Sequence, residues 1–157
     1  MATRTALILF LSLFLLATPA LADRYDRGEA AYVSGDYDAA REHFHPLAEA
    51  GDPRAQFRLG MMAEWGQGMR PDFTEAVRWY RLAAEQGERN AQFTLGFMYG
   101  SGTGVRPDPV QAWAWFELAA RQGDSEAADF RDATAGRLGA EELDSARQLA
   151  QTLLASR

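Results

Sequence analysis

The chain has 157 residues, 47% hydrophobic and 24% charged, with 22 acidic against 16 basic side chains for a net charge of −6. That balance excludes a nucleic-acid footprint and a surface tuned to anionic membranes, both of which need clustered positive charge. Without cysteine the chain has no disulfide framework, no lipid-anchoring thiol and no thiol nucleophile, so its stability rests on packing.

Residues 1–22 read as a secretory leader. Arg4 supplies the positive start, Ala6 to Ala17 form an apolar run of 12 broken only by Ser12, and Pro19 precedes a small-residue Ala20-Leu21-Ala22 site. Cleavage is predicted after Ala22. An uncleaved anchor is the rival reading, but 12 helical residues at about 1.5 Å each fall short of the ~30 Å hydrocarbon core. The mature chain of 135 residues would begin at Asp23 as one domain carrying 15 basic and 22 acidic groups, a net −7. It is expected in the periplasm or secreted, with no membrane insertion once the leader is removed.

Residues 23–52 suggest a short helix pair with Gly35-Asp36 as its turn. Pro46 should kink or reset the second helix near His45, because it removes an amide donor and clashes one turn back.

Two blocks of 36 residues follow in register, 53–88 and 89–124, with 18 positions identical. A period of this size marks one supersecondary unit copied and stacked, since a single unit cannot bury its own apolar face. Each block opens on a helix of about three turns whose inner face carries Ala55, Leu59, Met62 and Ala63, then Ala91, Leu95, Met98 and Tyr99. Each closes on a second helix with Ala76, Trp79, Tyr80, Ala83 and Ala84 inward, then Ala112, Trp115, Phe116, Ala119 and Ala120, stopped by Gly87 and Gly123. The loops between hold Gly66, Gly68, Pro71 and Asp72, repeated as Gly102, Gly104, Pro107 and Asp108; the aspartates are candidate N-caps. Gly100, Gly102 and Gly104 are not a phosphate cradle: the spacing differs from GxGxxG, no strand precedes them, and Gly102 and Gly104 recur from the first block as turn residues.

Residues 125–157 keep the register at Ala127 but lack the glycine-rich loop. Arg137-Leu138-Gly139-Ala140 leads instead into an amphipathic terminal helix with Leu143, Ala146, Leu149, Ala150 and Leu153 on one face, as the end of an array needs for solubility.

The stretches AQFRLGMMAEWGQGMRPDFTEAVRWYRLAAEQG and AQFTLGFMYGSGTGVRPDPVQAWAWFELAARQG resemble Sel1-like repeats, relatives of the tetratricopeptide repeat. The resemblance covers two full units and, more weakly, both flanks. It implies an all-α, right-handed solenoid of about four antiparallel helix pairs, serving as an adaptor for protein complexes. It brings no catalytic residue, metal or cofactor with it.

On the first helix of each block the side opposite the core carries Phe57, Met61 and Glu64, matched by Phe93, Phe97 and Gly100. Phe57 and Phe93 either pack between neighbouring units or form an apolar stripe on a concave face that captures a peptide or helix of a protein partner, bordered by Arg58 and Thr94.

The two histidines, His43 and His45, diverge by about 200° on one helix, so no metal site is expected there. Nor does either have an evident nucleophile to serve as base, so no catalysis is expected; a hydrolase with an unrecognised site would need one of them beside a hydroxyl and a carboxylate. The acidic pairs Glu141 and Glu142, or Glu49 and Asp52, read as solvated helix ends. Trp65, Trp113 and Tyr32 could stack on sugars, which keeps peptidoglycan contact open as a second reading.

Overall fold

A computed structural model describes residues 23–156 of the chain. The leader read in residues 1–22 lies outside them. Among the described residues there are eight helices and no strand: α1 (residues 23–34), α2 (Tyr37–Glu49), α3 (Pro53–Trp65), α4 (Phe73–Glu85), α5 (Arg89–Ser101), α6 (Pro109–Arg121), α7 (Ser125–Ala135) and α8 (Ala140–Ala155). Helix starts are chemically uniform: the side chains of Asp36, Asp52, Asp72, Glu88, Asp108 and Asp124 each accept a backbone N–H from the first turn of α2 to α7. Such caps satisfy donors that have no partner within the helix and place negative charge at the positive end of its dipole.

Consecutive helices from α2 to α7 pack on one another, which stacks the pairs into a solenoid. The positions shared by the two blocks explain the stacking. Gly60 and Gly96 lie against the rings of Tyr80 and Phe116, close enough that a Cβ would stand 2.6 and 2.8 Å from ring carbons. Gly28 and Phe44 repeat the arrangement in the shorter first pair, so α1 and α2 obey the same rule across a turn of only two residues, Gly35 and Asp36.

The glycine-rich loops do more than reverse the chain. Gly66 and Gly102 end α3 and α5 in the left-handed region, at φ 65° and 78°. Gly104 then presses on the Phe73 carbonyl at the start of α4, where an added Cβ would come within 2.3 Å, and Gly68 approaches Tyr37 at the start of α2 in the same way. Each loop therefore touches the preceding unit.

Gln56 and Gln92 are buried polar members of the repeat. The Gln56 amide donates to the Ala48 carbonyl at the end of α2 (3.0 Å) and accepts from Gln86 (2.8 Å). Gln92 donates to Ala84 (3.0 Å) and accepts from Gln122 (2.8 Å). This ladder links each unit to the one before it and satisfies groups that would otherwise be buried unpaired.

Two expectations change. α2 runs unbroken through Pro46 rather than resetting. The carbonyl of Glu42, which loses its usual i+4 donor at Pro46, accepts instead from Arg24 of α1 at 3.4 Å. At the other end, α8 packs on α6 and does not form a close pair with α7. Ala146 and Ala150 bury there, with Leu143, Leu149 and Leu153 half-buried beside them.

Candidate functional site

The outward faces of α3 and α5 open on a groove of about 350 Å³ that reaches across to α7. Six of the seven residues expected on this face line it: Phe57, Met61 and Glu64 from α3, and Phe93, Thr94 and Phe97 from α5. Arg58 stands apart. Its guanidinium makes a two-pronged ion pair with Glu29 of α1 at 2.6 and 2.5 Å and lies over the Tyr32 ring, so it ties α1 to α3 and does not border the groove.

Phe57 and Phe93 are both packing residues and groove residues. Phe57 rests on Tyr80 with ring centroids 5.6 Å apart, and Phe93 rests on Phe116 at 5.8 Å and on Phe130 of the next unit at 5.7 Å. Their rings are half-buried, whereas Trp65 is 68% and Phe97 50% exposed. The apolar surface still without a cover belongs mainly to those two.

Trp65, Tyr80, Glu126 and Phe130 complete the lining. Phe130 stands one period after Thr94, so carrying the register into the last unit places it at the border position that Thr94 holds beside the groove and that Arg58 leaves. The charged groups along the groove are carboxylates, Glu64 and Glu126. Glu64 accepts a hydrogen bond from the Tyr80 hydroxyl at 2.7 Å. Burial, reinforced by that carboxylate, pushes the Tyr80 hydroxyl far above the usual tyrosine range, so it stays a proton donor.

The aromatic residues considered for sugar stacking lie on different parts of the molecule. Trp65 is at the groove, Trp113 is 8% exposed between α6 and α8, and Tyr32 lies edge-on to Tyr37 beneath Arg58. The histidines do not converge either. His45 faces Glu49 at 3.5 Å and the edge of Trp79, in a cleft that also holds Glu42 and Glu75 but no hydroxyl side chain. Among the described residues, no three His, Asp or Glu side chains gather as metal ligands.

The Sel1 repeat family matches this chain three times, over residues 12–52, 53–88 and 89–124. The chain is a Sel1 repeat protein. The first match begins inside the stretch read as a leader. Among solved structures, the Sel1 repeat protein is similar to a protective antigen of uropathogenic Escherichia coli strains displaying an SLR fold, at 33% identity and TM-score 0.80 over 87% of this chain. It spans only 30% of that protein's length. It is also similar to a Sel1 repeat protein from Oxalobacter formigenes, at 36% identity and TM-score 0.66, over 72% of this chain and 88% of that one. Cysteine-rich protein B of Helicobacter pylori shares the fold at 24% identity and TM-score 0.57, over 59% of this chain and 69% of that one. A search of curated proteins gives no match. Sel1 repeat proteins are generally protein-interaction scaffolds, and the family is typically non-catalytic. No helix among the described residues is long and apolar enough to cross a membrane.

Proposed function

We propose that this Sel1 repeat protein is a non-catalytic interaction scaffold of the bacterial cell envelope, released into the periplasm or medium by cleavage after Ala22. Its groove of Phe57, Met61, Glu64, Phe93, Thr94 and Phe97 takes an apolar peptide or helix of a partner protein. The observation that carries this reading is that Phe97 and Trp65, both lining the groove, are 50% and 68% exposed while the other aromatic rings along it are packed against neighbours. Exposed aromatic surface continuous with a groove supports helix or peptide capture. Because the lining charges are Glu64 and Glu126, the preferred segment has lysine or arginine beside its apolar anchors.

The test is affinity capture from envelope extract with the mature chain, alongside Phe97→Glu and Trp65→Ser. These positions are better probes than Phe57 and Phe93, whose rings also hold the fold. Loss of one specific protein by both variants, with helicity unchanged by circular dichroism, is the expected result. Equal capture by wild type and variants refutes the groove. N-terminal sequencing of the exported protein tests cleavage; a mature chain starting at Asp23 is expected. The exposure of Trp65 also favours a second reading, contact with peptidoglycan, which predicts retention on purified sacculi that Trp65→Ser abolishes. Absence of retention removes it.

A further inference from the structure

The two blocks part company at a buried position that shapes a second cleft. Tyr99 of α5 stands one period after Ala63 of α3, and both are buried. The Tyr99 side chain spans from α5 to α4, where Arg81 donates a hydrogen bond to its hydroxyl at 2.7 Å. In the first block the same span runs from Ala63 to His45 of α2, since His45 stands one period before Arg81. No ring crosses it from alanine. A cleft of about 400 Å³ lies there between α2, α3 and α4, with both Ala63 and His45 in its lining. Its floor keeps the residues the repeat shares, Leu59 and Trp79, which return as Leu95 and Trp115. Met69, larger than its counterpart Val105, refills only part of the space that the missing ring leaves.

The cleft is open to solvent: Met69 is half-buried and the His45 side chain is 51% exposed. Its charges do not make an anion site. Arg41, Glu42 and Glu75 line it, Arg78 pairs with Glu75 at 2.6 Å, and Glu49 lies 3.5 Å from Nδ1 of His45. With those partners included, two arginines stand against three carboxylates. Among the described residues the side chains of Arg41 and Glu42 have no hydrogen-bond or ion-pair partner, which leaves one donor and one acceptor side by side at the rim.

We infer that this cleft is a binding site for the phenol ring of a tyrosine in a peptide segment of a partner, seated as Tyr99 is seated in the following unit. The ring lies against Met69 and Trp79, and its hydroxyl meets His45 where Tyr99 meets Arg81. With Nδ1 of His45 beside Glu49, Nε2 is the nitrogen left for the phenol. An apolar floor with a few convergent polar groups suits an aromatic ring carrying a polar tip. The backbone on either side of the tyrosine offers a carbonyl to Arg41 and an amide to Glu42, a match that a free phenol lacks. The site lies on the core-facing side of α3, away from the Phe57 stripe, and stands or falls separately from the α3–α5 groove.

The test follows the imidazole signals of the two histidines by NMR in the purified mature protein, with His43→Gln assigning them. Acetyl-Gly-Tyr-Gly-amide is titrated beside its phenylalanine and alanine counterparts and beside p-cresol. A saturable shift of His45 is expected with the tyrosine peptide, with the phenylalanine peptide about threefold to tenfold weaker for want of one hydrogen bond. Binding of p-cresol should also be weaker, and the alanine peptide should give no shift. Ala63→Tyr supplies the ring from within; it should fold with a urea midpoint no lower than wild type and should no longer bind the tyrosine peptide. The inference is overturned if the tyrosine peptide leaves His45 unmoved or if any of the other three probes binds as tightly. It is also overturned if Ala63→Tyr lowers the urea midpoint or still binds the peptide.

Discussion

Gly60→Ala sets two opposing effects against each other. In the middle of α3, alanine is the better helix former by about 1 kcal/mol. Gly60 has ordinary helical geometry, so no backbone strain opposes the change. The new Cβ, however, would stand 2.6 Å from two carbons of the Tyr80 ring, about 1 Å inside the contact distance between carbons. That ring has little room to yield: it is 1% exposed, packed by Phe57, and tied at its hydroxyl to Glu64. Overpacking of this kind costs about 1–3 kcal/mol and more where the neighbour is held on several sides. The expected net result is a loss of about 1–2 kcal/mol, read as a lower urea midpoint at unchanged slope. Gly96→Ala, against Phe116 at 2.8 Å, should behave alike. Gly100→Ala is the control, since its Cβ would meet only Ala112 at 3.8 Å, and it should be neutral or stabilising by up to about 1 kcal/mol. If Gly60→Ala stabilises the protein as much as Gly100→Ala does, glycine is not at 60 to admit the ring.

Two further outcomes test the buried polar groups. Gln92→Ala should destabilise by about 1–3 kcal/mol, because it strips the side-chain donor from the Ala84 carbonyl and the acceptor from Gln122, while Gln86→Ala, at an exposed residue, should cost less; equal urea midpoints for the two would refute the ladder's role. Tyr80 governs alkaline stability: its hydroxyl keeps its proton in the fold far above the ordinary value of 10.0, so above about pH 10 the native state binds more protons than the unfolded one and stability falls as pH rises. Urea unfolding between pH 8 and 11 should show a loss approaching about 1.4 kcal/mol per pH unit from this group, and Tyr80→Phe should remove that component; an unchanged slope would refute it.

The helix pair, the inward faces and the aspartate caps of α4 and α6 were legible in the sequence because each depends on residues close together in the chain, and the period because its positions recur at a fixed interval of 36 residues. The residues of the outward face were readable too, since one helix face is fixed by its 3.6-residue period, but whether they pack between units or line a groove was not. What that period cannot say is which neighbour covers an outward side chain. Phe57 and Phe93 are half-buried because Tyr80, Phe116 and Phe130 reach them from other helices, and Arg58 leaves the groove because Glu29, 29 residues earlier, holds it. Pro46 is tolerated because Arg24 supplies a donor from α1.

By itself, then, the sequence determined a stacked α-helical array and the composition of its outward stripe, through local periodicity and turn chemistry repeated at a fixed interval. Only the tertiary structure decided which repeated residues join units, how far the stripe is covered, and that α8 settles on α6. Those outcomes depend on volume and charge brought together from distant segments, and no single window of sequence contains them.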